Sequence, residues 1–163
     1  MSRIAGRFQQ LAVQGRTALI PYIVAGDPSQ DITVPLMHRM VESGADIIEI
    51  GVPFSDPMSE GPVIQQGHER ALANGMCLSR VLELVQEFRK SDDTTPLLLM
   101  GYANPVMHMG YAAFADAASA AGLDALLTVD IPPEEVDDIK AQLERVGIDN
   151  IFLVAPTTPE ERI

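Results

Sequence analysis

Short apolar runs alternate with helical patterns along the whole chain, and no other feature limits the possible folds as tightly. ALIPYIVA at 18–25, DIIEI at 46–50, TPLLLMGY at 95–102, LDALLTVD at 123–130 and DNIFLVAP at 149–156 read as five strands. Their starts lie roughly 25–30 residues apart, with one gap of about 50 that holds two helices. Strands rich in Ile, Val and Leu without strict alternation are buried on both faces, which means a parallel sheet covered by helices.

The helices follow from spacing and punctuation. Residues 2–13 put Ile4, Phe8 and Leu11 on one face, with Ser2 as cap. The next helix runs to Gly44, its regular part beginning near Thr33 because Pro35 is not expected deep inside a helix. Pro62 opens another through about Ala73, and Ser79 caps the one after it. Residues 110–121 are alanine-rich and helical; Pro132 and Pro133 start a helix that Gly147 ends. Thr158, Pro159 and Glu161 have the spacing of a capping box. The 163 residues therefore read as one domain, five β-α units ending at the start of the fifth helix, with no sequence repeat beyond the structural one. Five parallel strands suit part of a (β/α)8 barrel or an open flavodoxin-like sheet, and the pattern alone leaves both open.

Composition removes several functions. A net charge of −12 argues against nucleic acid and anionic membranes. No apolar run reaches the ~18 residues of a spanning helix. Cys77 is the one cysteine, which fits a reducing cytoplasm. His38, His68 and His108 lack ligand spacing, so no metal site is expected and each reads as a surface or packing residue.

The chemistry concentrates in residues 46–65, DIIEIGVPFSDPMSEGPVIQ. Glu49 interrupts an isoleucine run and is followed by a loop rich in Pro, Gly and acids. A buried carboxylate without a cation is costly, and the sequence holds no Lys or Arg between Arg39 and Arg70. Glu49 is then either a structural acid with distant partners or a general acid/base with a raised pKa. In either case it is expected to be almost fully buried. The loop 53–61 is expected to be mobile, and Glu60 within it reads on its own as a solvated acid.

The same stretch, with IPYIVAGDPS at 20–29, MGYANPV at 100–106, VDIPPEE at 129–135 and IFLVAPTTPEERI at 151–163, resembles the tryptophan synthase α subunit family in order and spacing. The resemblance selects the TIM-barrel reading, here about five β-α units, with strand order 1-2-3-4-5. It implies a lyase that cleaves indole-3-glycerol phosphate to indole and glyceraldehyde 3-phosphate, with Glu49 and Glu60 catalytic, although Glu60 stands where the family has aspartate. It implies an indole pocket lined by Tyr22, Met100, Tyr102, Leu127, Val129 and Leu153. Read without it, Leu127, Val129 and Leu153 are plain barrel core. It further implies a β-subunit partner that carries pyridoxal phosphate, none being held here, docked at Pro53, Asp56, Asn104 and Pro132. The sequence offers no phosphate-gripping loop, so the 163 residues alone are expected to be inactive. The alternative is a non-catalytic half-barrel that binds a partner or itself.

Overall fold

The computed structural model describes residues 2–162. Strands β1 (Tyr22–Val24), β2 (Ile48–Gly51), β3 (Leu97–Gly101), β4 (Ala125–Thr128) and β5 (Asp149–Ile151) form one parallel sheet in the order β1-β2-β3-β4-β5. Consecutive right-handed β-α units lay each strand beside the last, and the absence of a reversal marks a partial β/α barrel. Seven α-helices occur among the described residues: α1 (Arg3–Gln14), α2 (Gln30–Glu42), α3 (Pro62–Ala73), α4 (Leu78–Arg89), α5 (Ala103–Met109), α6 (Tyr111–Ala121) and α7 (Asp137–Val146).

Alternating side chains give the sheet two different faces. Ile48, Ile50, Leu97, Leu99 and Leu126 join Val81, Val85, Phe88, Phe114, Ile139 and Leu143 of the helices in the main core. The other face holds a smaller cluster, Ile47, Leu98, Ala125 and Leu127, with Ile4 of α1 packed against it. Strand pairing sets Tyr22, Glu49, Leu98, Ala125 and Asp149 in one row, and Gly51, Met100, Leu127 and Ile151 in the next.

A repeat invisible to hydropathy links the units. Gly44-Ala45-Asp46 and Gly122-Leu123-Asp124 precede β2 and β4, and Gly147-Ile148-Asp149 leads into β5. The glycines have φ of 103°, 86° and 77°, a conformation that turns the chain out of each helix and that other residues resist. The middle residues are buried. The first two aspartates then reach back to the preceding strand's entrance: Leu19 N–H donates to Asp46 Oδ2 at 2.9 Å, and Leu97 N–H to Asp124 Oδ2 at 2.8 Å. Asp124 also meets Arg89 Nη2 and Arg3 Nη1, each at 2.8 Å. Asp149 differs because it pairs with Ala125, one step beyond Asp124. In a structure of period two, one step changes the face, so Asp149 stands on the inner side.

Several boundaries differ from the sequence expectations. The helix of α2 begins at Gln30 and contains Pro35. The bond that proline forgoes belongs to Asp31, and both residues are solvent-exposed, so water can satisfy the freed carbonyl. Cys77, not Ser79, is the N-cap of α4. The short α5 goes unsignalled because Pro105 and Gly110 read as a loop. Pro133–Glu135 form a 3-10 turn before α7 begins. The strand β5 ends at Ile151, and beyond it Phe152, Leu153 and Val154 are exposed. Thr158 Oγ1 accepts from Ala155 N–H at 2.9 Å, closing a turn instead of capping a helix.

Candidate active site

Glu49 projects from the inner face of β2 into an apolar cavity of about 500 Å³. Ile4 and Phe8 of α1, Ile20, Ile47, Leu98, Leu127, Asp149 and Ile151 complete the lining. The expectation of near-complete burial is corrected: Glu49 is partly exposed. The β1 and β5 margins are not paired with each other, so solvent enters between them. Even so, removal of water by the apolar wall raises its pKa above the ordinary carboxylate value. Among the described residues no Lys, Arg or His forms a salt bridge with it. No ion pair among the described residues holds Glu49 as a structural acid, and its carboxyl takes up a proton more readily than that of a surface glutamate.

Glu60 lies at the far end of the loop that follows β2. The Tyr102 hydroxyl, just beyond β3, accepts from Ser59 N–H at 3.0 Å and donates to Glu60 Oε2. Tyr102 is 2% exposed, and its ring stacks on Phe54 with centroids 5.0 Å apart. Burial, then the bond to Glu60, raises its pKa. A loop acid that composition marks as solvated is thereby fixed by a buried phenol.

Tyr22 joins the two acids. Its ring crosses the inner face over Gly51, where a Cβ would lie 2.1 Å from the tyrosine oxygen. Burial is the main reason its pKa is raised, followed by the charges of Glu60 and Glu49. The hydroxyl therefore stands in the field of both carboxylates. Gly51→Ala is expected to drive Tyr22 out of this place and to lower stability by roughly 1–3 kcal/mol, as overpacking does. Urea unfolding with Tyr22 ring shifts as a second readout checks it; an unchanged Tyr22 environment would remove the packing argument.

Strand register sets Tyr22, Glu49, Met100 and Leu127 on one side of the sheet, Glu49 and Leu127 line the cavity, Met100 and Val129 pack against the inner cluster, and Tyr102 holds Glu60 in the loop after β2. Leu153 does not join them; it is 60% exposed past the end of β5. Asp56, Asn104 and Pro132 are exposed, whereas Pro53 is buried. His108 is exposed and His38 stacks on Phe88 at 4.6 Å, as surface and packing residues do. Sequence reasoning missed His68, which is 1% exposed and bonded at both ring nitrogens. It also missed the aspartate clamps, although the Gly-x-Asp triplets were a visible signal. Among the described residues no group of three or more His, Cys, Asp or Glu could hold a metal ion. No helix among them is long and apolar enough to cross a membrane.

Consecutive parallel β-α units, with polar groups gathered on the inner face and in the loop after β2, define a scaffold of the β/α-barrel class. Comparison with known proteins gives the family. The family described as "Tryptophan synthase alpha chain" matches residues 8–163, and the chain belongs to it. It is 60% identical over 163 residues to the tryptophan synthase alpha chain of Laribacter hongkongensis, covering all of this chain and 62% of that protein. For the chain from Thioalkalivibrio sulfidiphilus the identity is 61%, covering 61% of that protein. The crystal structure of tryptophan synthase subunit alpha from Legionella pneumophila superposes with a TM-score of 0.97 at 49% identity, covering 99% of this chain and 62% of that one. The chain thus spans about three fifths of the length of the curated relatives it matches.

Proposed function

We propose that this chain carries the acid–base residues of a lyase that cleaves indole-3-glycerol phosphate into indole and glyceraldehyde 3-phosphate. The observation that carries the reading is Glu49: one unpaired, desolvated carboxyl in an apolar cavity large enough for an aromatic bicycle. The reaction needs a proton delivered to the ring carbon bearing the side chain, so that the ring can accept electrons. A base then removes the proton of the adjacent side-chain hydroxyl. That oxygen becomes the aldehyde, the carbon–carbon bond breaks, and its electron pair returns to the ring, restoring indole. Glu49 is suited to the proton steps at carbon and hydroxyl, and Glu60 to the ring nitrogen. Tyr22, Met100, Leu127 and Val129 would form the wall against the ring, with Tyr102 holding Glu60.

Among the described residues no glycine-rich loop leads into a helix N-terminus to cradle the substrate's phosphate, so tight binding is not expected of these residues alone. The partner face is small: Asp56, Asn104 and Pro132 are the exposed positions for docking a β subunit, while buried Pro53 would shape their loop. The structure from Pyrococcus furiosus described as the tryptophan synthase a2b2 complex, 41% identical with a TM-score of 0.84, supports such an assembly. Pyridoxal phosphate would belong to that partner, and the assembly to the cytoplasm. The exposed Phe152, Leu153 and Val154 favour a second reading, in which the β5 margin is itself a binding surface.

Indole is the probe for the first reading. Titrated into the chain, it is expected to shift the side-chain NMR signals of Leu98, Leu127 and Glu49, and carbon-13 titration should place Glu49 above the ordinary value for glutamate. Shifts confined to Phe152–Val154 would favour the second.

A further inference from the structure

His68 lies in α3, the helix that follows the Glu60 loop and packs on β1. The seat of that helix is close and doubly fixed. At Gly67 an added Cβ would come within 3.1 Å of Asp27 Oδ2 and 3.3 Å of Val24 Cγ2. One turn on, Arg70 grips the Asp27 carboxylate with two bonds of 2.6 and 2.9 Å. Held there, the imidazole is 1% exposed and has a partner at each nitrogen. Phe54 N–H donates to Nδ1 at 3.0 Å, and Nε2 lies 3.4 Å from the Tyr22 oxygen.

The first contact decides the state of the ring. An N–H donor needs a lone pair, so Nδ1 carries no proton. A neutral ring then has its proton on Nε2, aimed at the tyrosine oxygen. We propose that His68, as this neutral tautomer, is a positioning residue that fixes both the root of the loop 52–61 and the Tyr22 hydroxyl. With its oxygen accepting from Nε2, Tyr22 keeps its own proton to donate, within the fields of Glu60 and Glu49. The inference rests on the acid–base reading only for what that loop presents.

Protonation would undo the arrangement, since an N–H at Nδ1 would face the Phe54 N–H. Burial works against it by lowering the histidine's pKa, while the Glu60 charge favours it. The groups acting on the ring are Tyr22 from β1 and Glu60 from the loop, and on α3 itself Arg70 is occupied by Asp27.

The test is nitrogen-15 NMR with amide hydrogen exchange on the unaltered chain and two variants. At pH 7 the unaltered chain should show the Nε2–H tautomer, and protection of Phe54 N–H should fall as His68 takes up its second proton. His68→Leu should speed Phe54 exchange roughly tenfold while the amides of Ile48 and Ala71 stay protected. His68→Asn places an amide oxygen near the site of Nδ1 and should restore the protection. An Nδ1–H tautomer, an imidazolium at pH 7, or Phe54 exchange indifferent to His68→Leu would overturn the proposal. If His68→Leu loosens every amide, the tautomer and pH dependence of the unaltered chain decide. The indole titration is scored separately: Phe54 can obey His68 where indole fails to bind, or ignore it where indole binds.

Discussion

Asp124→Ala should lower stability by about 3–5 kcal/mol, the cost of leaving a buried cation without its counter-charge. The Arg89 side chain is 9% exposed and that of Asp124 4%. Burial pushes the Arg89 pKa down, and Asp124 is the leading influence that holds it up. Arg89 also donates to the carbonyls of Thr95 at 2.7 Å and Gly122 at 2.9 Å, so it cannot swing to water without breaking the turn into β3 and the end of α6. The same substitution strips the acceptor from Leu97 N–H and leaves Arg3 with the Asp93 carbonyl but no Asp124 carboxylate, weakening the tie between α1 and the sheet. For a chain of this size each kcal/mol corresponds to about 2–4 °C, so Tm should fall by about 6–20 °C. Asp124→Asn, which keeps an acceptor but not the charge, should fall between. A loss of less than about 1 kcal/mol for the alanine variant would show that Arg89 is satisfied by carbonyls alone.

The second large effect concerns turnover. The 163-residue chain should release indole from indole-3-glycerol phosphate at least about 1,000-fold more slowly than a fusion that joins it to the remaining residues of the Laribacter hongkongensis relative. Substrate positioning is worth ~7–11 kcal/mol in well-held complexes, and the residues described here offer no grip for the phosphate. In the fusion, Glu49→Gln should reduce turnover by at least about 100-fold, because the amide can neither give nor take the proton. Glu60→Asp should raise it, since one methylene moves a carboxylate by about 1 Å, a displacement that can cost ~100-fold. Equal turnover by chain and fusion would refute the account of the phosphate. Full activity in the Glu49→Gln fusion would remove the central residue. No gain from Glu60→Asp would mean that Tyr102 already sets the longer side chain in place.

How much of this was legible depended on the length scale of each signal. Strand order follows from β-α alternation, which extends over the whole chain. Period two fixes the alternation within each strand but not which side of separate strands faces inward, so Tyr22, Met100 and Leu127 were named as one wall through the family resemblance. Burial of Glu49 could not be read so well, because it depends on what stands across the cavity and not on its isoleucine neighbours. The exposure of Leu153 was unreadable for a related reason: apolar character continues past Ile151, but strand pairing does not. Pro35 misled because helix rules for proline assume a carbonyl with no access to water. His68 gave no local sign. Its role arises from the meeting of β1, the Glu60 loop and α3, which only the fold brings about. The Gly-x-Asp triplets were legible in principle, yet their meaning needed the register, as Asp149 shows by carrying the same triplet to the opposite face.

Those triplets make the sheet a chain of nearest-neighbour agreements. Asp46 answers to an amide at residue 19, and Asp124 to one at residue 97, so each clamp closes only after the strand before it is in place. A damaged clamp should therefore loosen the two units that share it and leave the others bound. Stability in such an array is inherited from one unit to the next, much as in a stacked repeat protein. The cavity wall draws on both pairs: Glu49 belongs to the first and Leu127 to the second, and the pairing of β2 with β3 joins them within the sheet.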